Sequence, residues 1–270
     1  MRFLRRWDVL DLRPLALTAP DTYPHYGYPP LLVAAFLRDA LLGRRRSFRQ
    51  DACSCIHRLR PPLRLIGQEN IPQHGPCVLT FNHYARPGFR AWWLAWAVAA
   101  SVPMEMHWIV TREWTFPGRW YAPLGLRLSR LILRRLASLY SFTLMPAMPP
   151  RPEDVTDRAR AVRQVLALAR REQRIVLGLA PEGRDTPGGC LSWPPPGVGR
   201  FLTLLAEAGL HIVPVGLYEA EGALWAHFGE RYALSIPADL SPDERDRLAA
   251  QTVMSRIAAL LPPALRGDFA

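Results

Sequence analysis

From residue 63 to residue 260 the chain alternates short apolar segments with longer segments of helical periodicity. This alternation is typical of α/β domains, in which helices cover a largely parallel sheet. The strand-like segments are residues 63–66, 77–81, 107–111, 141–145, 175–180 and 212–217. The helix-like segments are residues 90–100, 119–137, 155–171, 198–208 and 241–260. The sequence therefore predicts an α/β fold with a mixed, mostly parallel central sheet flanked by helices.

The first 60 residues predict an N-terminal helical and irregular extension to an α/β domain of residues 61–270. A stretch rich in Pro and Tyr, residues 14–30, precedes an apolar helix at residues 31–42, which Gly43 and three arginines follow. Such a helix suits a membrane surface with the arginines at the headgroups, or packing on the main domain with the arginines in solvent. No segment has the roughly 18 uninterrupted apolar residues of a spanning helix, and none resembles a secretory leader, so we expect neither.

The net charge of +11 predicts attraction to polyanions, whether anionic lipids, phosphate-bearing substrates or nucleic acid. The chain lacks zinc-finger, helix-turn-helix and RNA-recognition signatures, and its aromatic residues are not interleaved with its arginines. We therefore expect no nucleic-acid partner. The four cysteines fit a reducing compartment, and Cys53, Cys55 and His57 have no second pair at zinc spacing. No metal site is expected.

A histidine follows the apolar segment 77–81, and residues 82–88 read Asn-His-Tyr-Ala-Arg-Pro-Gly. His83 should emerge at the C-terminal end of a strand, where the loops of α/β proteins carry chemistry. Imidazole titrates near neutral pH, so it suits a general base that takes a proton from a substrate hydroxyl. His83 is therefore the first candidate for a catalytic residue, with Asn82 beside it.

A second apolar strand ends in Pro-Glu-Gly, followed by Arg184 and Asp185. This pattern places a carboxylate, Glu182, at the C-terminal edge of the sheet, beside Gly183, which lets the backbone approach a ligand closely. Alternatively, the segment is a turn with a solvated charge pair. Further along, Pro214 interrupts an apolar strand, and because proline lacks a ladder donor we expect an edge strand or a bulge there.

Three arginines, Arg127, Arg130 and Arg134, are spaced i, i+3 and i+7 and so share one face of a predicted helix. This face suits a substrate phosphate or lipid headgroups. A solvated basic face explains the same pattern.

In this order and at these distances, the segments resemble the motifs of the glycerolipid acyltransferase superfamily, which includes the lysophosphatidic acid and glycerol-3-phosphate acyltransferases. The family's first motif is Asn-His-x-x-x-x-Asp, and residues 67–76 match the lead-in to it. Pro-Glu-Gly matches the third motif, Val-Pro-Val matches the fourth, and the arginine segment stands for the phosphate-binding second. The resemblance covers residues 63–235.

The resemblance implies transfer of an acyl group from acyl-CoA or acyl carrier protein, as co-substrate, to a hydroxyl acceptor, a lysophospholipid or glycerol phosphate. It implies no other cofactor and no metal. His83 would be the general base, and the residues implied to be catalytic are Asn82, His83, Glu182 and Asp185. The residues implied to bind substrate are Arg127, Arg130, Arg134, Gly183, Arg184 and Pro214. We expect a cytoplasmic protein, peripheral on the inner face of the cell membrane, with anionic lipids as partners.

The chain departs from the family pattern at two positions that concern catalysis. Gly88 stands where the first motif has its Asp, the group that in the family bonds the other ring nitrogen of the histidine. In the third motif, Arg184 takes the Thr position and Asp185 the Arg position.

Three hypotheses follow from these departures. In the first, another carboxylate replaces the missing Asp: Glu182 or Asp185, with Glu113 as a weaker candidate. In the second, His83 works without an acid. In the third, the domain is a catalytically silent acyltransferase-like fold that binds lipid or acyl thioester.

Overall fold

In the computed structural model, the described residues are 23–116, 118–148 and 151–270. Within these ranges seven strands form one sheet and seven α-helices pack around it. The strands are β1 (Arg64–Ile66), β2 (Cys77–Phe81), β3 (His107–Thr111), β4 (Thr143–Met145), β5 (Val176–Leu179), β6 (His211–Ala220) and β7 (Ala223–Phe228). The helices are α1 (Pro30–Leu42), α2 (Phe48–Ile56), α3 (Trp92–Ser101), α4 (Ala122–Tyr140), α5 (Val155–Arg171), α6 (Val198–Glu207) and α7 (Pro242–Ala258).

The strand order is β1-β7-β6-β2-β5-β3-β4, and every neighbouring pair is parallel except β6 and β7. This architecture confirms the α/β class and the mixed, mostly parallel sheet. Each predicted strand and helix is present, with boundaries that differ by a few residues. Helix α2 and strand β7 were not predicted from the sequence.

Strands β6 and β7 form a hairpin closed by Glu221 and Gly222. Both turn residues have positive φ, 51° and 71°, which is the conformation of a type I′ turn. This turn matches the twist of antiparallel strands, so β6 continues three residues beyond the predicted end at residue 217. The hairpin places β7 between β6 and β1.

Pro214 lies on β6, an interior strand between β2 and β7, so the expected edge strand is wrong. The alternative, a bulge, fits the pairing at this point, because Val215 pairs with Phe228 but Ile212 pairs with Tyr232, which leaves one extra residue in the partner segment. The carbonyl of Pro214 accepts a hydrogen bond from the N–H of Gly229, so the backbone polar side of this residue faces away from β2. The β6–β7 ladder begins only at Val215. The missing N–H of Pro214 therefore removes no bond from either ladder.

Two apolar layers cover the sheet. One includes α2 and α3, where Phe48 and Ile56 of α2 and Trp93 of α3 are buried, and the other is formed by α5, α6 and α7. Ser47 caps the N-terminus of α2, because its side chain accepts a hydrogen bond from the N–H of Gln50. The last part of residues 1–60 thus contributes to the core, whereas α1 lies against α4 with most of its residues exposed. The division of the chain at residue 60 stays a prediction.

Part of the predicted irregular stretch 14–30 and the whole N-terminus before residue 23 lie outside the described residues. Among the helices that the structure describes, none has both the length and the hydropathy of a membrane-spanning segment.

Candidate active site

Strands β2 and β5 are adjacent and parallel, with Thr80 opposite Leu179, so their C-terminal ends meet at one edge of the sheet. The residues that follow β2 begin with Asn82 and His83, and those that follow β5 run from Ala180 to Asp185. The topology therefore brings the two predicted motifs together. This edge is where open parallel sheets present ligand-binding loops.

Asn82 is 1% exposed, and its amide makes two hydrogen bonds with the backbone of Leu217 on β6. Its Nδ2 donates to the carbonyl of Leu217 at 2.8 Å, and its Oδ1 accepts from the N–H of Leu217 at 2.8 Å. The side chain thus extends the β2–β6 pairing beyond the end of β2. Asn82 fixes where His83 leaves the sheet.

Glu182 is 1% exposed and accepts hydrogen bonds from the backbone of two loops. Its Oε2 accepts from the N–H of His83 at 2.9 Å, and its Oε1 accepts from the N–H of Ser192 at 2.9 Å. Burial raises the pKa of the Glu182 carboxyl above its usual value, although these hydrogen bonds oppose the shift. Glu182 therefore links the main chain of His83 to Ser192. None of its hydrogen bonds goes to the imidazole.

Asp185 contacts the imidazole of His83. Its Oδ1 lies 3.1 Å from Nδ1, with the His83 side chain 28% and the Asp185 side chain 54% exposed. Nδ1 is enclosed, but Oδ1 lies off the direction in which a proton on Nδ1 would point, so the contact is close without being an aligned hydrogen bond. The Asp185 side chain is half-exposed, and catalytic hydrogen bonds are often long or poorly aligned before substrate binds.

Gly88, at the position of the family's Asp, belongs to a tight turn. Arg86 and Phe89 exchange both backbone hydrogen bonds across Pro87 and Gly88, and Gly88 has a φ of 80°. Proline at the second position and glycine with positive φ at the third are the pattern of a type II turn. Backbone conformation explains glycine here, because a Cβ atom would meet only Arg86 Nη1, at 3.7 Å.

Glu219 of β6 anchors the loop that follows His83. Its carboxylate accepts from Nη2 and Nε of Arg86 at 2.5 and 2.8 Å, and from the hydroxyl of Tyr26 at 2.8 Å. The guanidinium of Arg86 also lies 3.5 Å from the ring centre of Tyr23. The segment before α1 and the loop after His83 are therefore tied to one buried carboxylate.

The three arginines of the predicted basic face do not form one free surface. Arg130 is paired with the fully buried carboxylate of Glu113, which also pairs with Arg151. Burial opposes ionisation of Glu113, but the two arginines hold its pKa below the usual value. Arg127 and Arg134 are exposed and make no ion pair within the described ranges. Glu113 is thus engaged by arginines, and its carboxylate makes no contact with His83.

An apolar pocket of about 130 Å³ lies beside Gly183, between the C-terminal ends of β3, β4 and β5 and the first turns of α5 and α6. Gly183 has a φ of 63° and lines this pocket. Arg184 is exposed and makes no contact with a charged partner among the described residues. Pro214 lies in the sheet interior and is not among the residues that line the pocket.

Several residues that shape the site were not predicted from the sequence. They are Arg158, Ser192, Leu217 and Glu219. Arg158 had a recognisable signal, because it is spaced three, four and seven residues from the inward-facing Ala161, Val162 and Val165 of α5. The other three act through contacts between residues far apart in the chain, which no local pattern shows.

Residues 62–218, more than half of the chain, match the family model described as acyltransferase. Among solved structures, the chain is similar to the 1-acyl-sn-glycerophosphate (LPA) acyltransferase PlsC from Thermotoga maritima. That similarity has a TM-score of 0.46 and 15% identity over 76% of this chain and 73% of that chain. A comparison with curated proteins finds no match. The family model agrees with the family that the motifs indicated, and the chain belongs to the acyltransferase family.

Proposed function

We propose that the protein transfers a fatty acyl group from an acyl thioester, acyl-CoA or acyl carrier protein, to the hydroxyl of a lysophospholipid or glycerol phosphate. The observation that carries this proposal is the contact between His83 Nδ1 and Asp185 Oδ1. It supplies the carboxylate that Gly88 removes from the first motif. A histidine oriented by an acid on one ring nitrogen has its other nitrogen available as a base.

The reaction would proceed in two steps within one site. Nε2 of His83 takes the proton of the acceptor hydroxyl while the hydroxyl oxygen attacks the carbonyl carbon of the thioester. The carbon–sulfur bond then breaks, the ester forms, and the departing thiolate takes the proton from the imidazolium. Asp185 stabilises the positive imidazolium between these steps, and Glu182 keeps the His83 main chain in place.

The experiment is a transfer assay with purified protein. Acyl-CoA and acyl-carrier-protein thioesters are offered with lysophosphatidate, glycerol 3-phosphate and other hydroxyl acceptors. We expect one combination to give an ester product that depends on His83, with H83A reducing the rate to background. If neither ester formation nor thioester hydrolysis depends on His83 across this panel, the silent fold replaces the enzyme.

We further propose that the protein works on the surface of an anionic membrane, as a peripheral protein of its cytoplasmic face. Large apolar side chains are exposed on two neighbouring helices. On α1 these are Leu31, Val33, Leu37, Leu41 and Leu42, and on or just before α4 they are Trp120, Tyr121, Leu124, Leu128, Leu131 and Ile132. Exposed apolar area of this extent is uncommon on monomeric proteins.

Charge favours a lipid surface over another protein as the partner of this face. Arg127 and Arg134 flank the apolar side chains of α4, and Arg44 and Arg45 follow α1, all of them exposed. An apolar helix face bordered by cations is the pattern of interfacial helices, whose cations lie at the phosphates. The net charge of +11 adds to the attraction.

A further inference from the structure

We propose that Arg158 binds the phosphate group of an amphiphilic ligand whose alkyl chain occupies the apolar pocket beside Gly183. Identification of that ligand as a substrate rests on the proposed acyl transfer, whereas binding of the phosphate does not. Arg158 belongs to no motif of the chain, and it reaches the site from α5.

The pocket walls are almost entirely apolar. Its side-chain lining from the sheet and from α5 and α6 includes Ile109, Leu179, Val162, Val198 and Phe201. Arg158 is the one charged side chain that lines it within the described residues. A single cation in an apolar pocket fits a ligand with one anionic end and an apolar remainder.

Arg158 has hydrogen-bond capacity left over. Its Nη2 donates to the carbonyl of Ala147 at 3.1 Å, and no carboxylate of the described residues lies within 4.0 Å of it. The nearby carboxylates are engaged by other arginines, since Asp154 pairs with Arg112 and Arg151. A guanidinium has five N–H donors, so most of those of Arg158 are open to a ligand.

Partial burial makes this cation costly without an anion. Desolvation lowers the pKa of the Arg158 guanidinium. A bound phosphate would accept charge-assisted hydrogen bonds from several N–H groups of Arg158. These bonds would replace those that the guanidinium makes to water when it is exposed.

Topology places the cation at the C-terminal edge of the sheet and Val162 one helical turn away from that edge. Arg158 lies in the first turn of α5, at the edge of the sheet that carries His83, and Val162 is one turn further in. Gly183, directly after the residue that holds the His83 main chain, lines the same pocket. A ligand with its phosphate at Arg158 and its chain along Val162 therefore has its polar end at the edge of the sheet that carries His83.

The test measures binding by calorimetry with n-octyl phosphate, n-octanol and inorganic phosphate as probes. The variants are R158Q, which removes the charge but keeps an amide donor, R158K, which keeps the charge, and R163Q, at an exposed arginine of the same helix, as control. We expect n-octyl phosphate to bind wild type and R163Q more tightly than either other probe does. R158Q should weaken its binding about tenfold or more, with R158K intermediate. If n-octyl phosphate binds wild type no more tightly than n-octanol, or equally to R158Q, the proposal fails.

Two further measurements identify the source of the phosphate and separate this proposal from the proposed reaction. H83A should bind n-octyl phosphate as wild type does, so an inactive enzyme leaves the phosphate site testable. In the transfer assay, R158Q should raise the KM for lysophosphatidate and leave that for acyl-CoA unchanged if the phosphate is the acceptor's. The reverse result assigns the phosphate to the donor, and an unchanged KM for both contradicts a substrate role.

Discussion

Oδ1 of Asp185 lies 3.1 Å from Nδ1 of His83, although the two residues are more than 100 positions apart in the chain. The parallel pairing of β2 with β5 creates this contact by bringing the ends of both strands to one edge. In the same loop as His83, the turn at Pro87 and Gly88 has no carboxylate to offer. The carboxylate that lies against His83 thus belongs to the second loop of the site.

Replacing Asp185 by asparagine should lower kcat about 100-fold or more, within the range ascribed to general acid–base groups. The asparagine keeps the shape but not the charge that stabilises an imidazolium. D185E should recover part of the rate, and D239N, at an exposed aspartate, should leave it unchanged. Steady-state kinetics with the active substrate pair measure this. Equal kcat values for D185N and wild type would leave His83 working unaided.

Gly88→Ala should destabilise the protein by about 1 kcal/mol, because alanine at a φ of 80° is strained. G27A is the matched control: a Cβ there makes only an ordinary contact with His25 at 3.6 Å. Urea unfolding of the three proteins gives the free energies. A G88A protein as stable as G27A would mean that the turn tolerates a side chain and that backbone conformation does not explain the glycine.

Replacing Glu182 by glutamine should lower the free energy of unfolding by about 1–3 kcal/mol. The two carboxylate oxygens accept from the N–H groups of His83 and Ser192, and in glutamine an NH₂ group replaces one of these oxygens, so one N–H loses its acceptor. The loss should depend on pH. The pKa of the Glu182 carboxyl is higher in the folded protein than its ordinary value of 4.5, which applies to the unfolded chain. The folded protein therefore keeps the proton of this carboxyl to a higher pH than the unfolded chain does. The difference in free energy of unfolding between wild type and E182Q should therefore shrink as pH rises from 4.5 through the pKa of Glu182 in the folded protein.

Thermal unfolding of wild type and E182Q between pH 4 and pH 8 checks this expectation. E230Q, at an exposed glutamate, serves as control and should follow wild type throughout. An advantage of wild type over E182Q that grows with pH would show that the folded-state pKa of Glu182 is lowered instead.

Local patterns were sufficient for the strands and helices that carry a long apolar period, and for the two motifs at the edge of the sheet. Helix α2 was not predicted because its nine residues are fewer than the 11–18 in which an apolar helical period can be recognised. Strand β7 was not predicted because the Glu-Gly turn before it is a weaker hairpin signal than Asn-Gly. The pairing of Glu113 with Arg130 and Arg151 was equally hidden, since only the fold brings these side chains together.

The apolar face of α1 and α4 gives the last prediction. Leu124 and Leu128 are 71% and 54% exposed, and burying each in a bilayer interface would contribute about 1.5–3 kcal/mol. The double variant L124D/L128D should therefore bind vesicles containing phosphatidylglycerol at least tenfold more weakly than wild type.

Flotation with vesicles of phosphatidylcholine alone, and with added phosphatidylglycerol, measures this binding. L248D, on α7, is the control, because it adds a charge at a partly exposed leucine of another helix. Wild type and L248D should bind the anionic vesicles in a salt-sensitive way and bind DNA of matched charge much more weakly. If L124D/L128D floats as well as L248D, the apolar side chains of α4 do not enter the membrane, because the cations alone then account for binding.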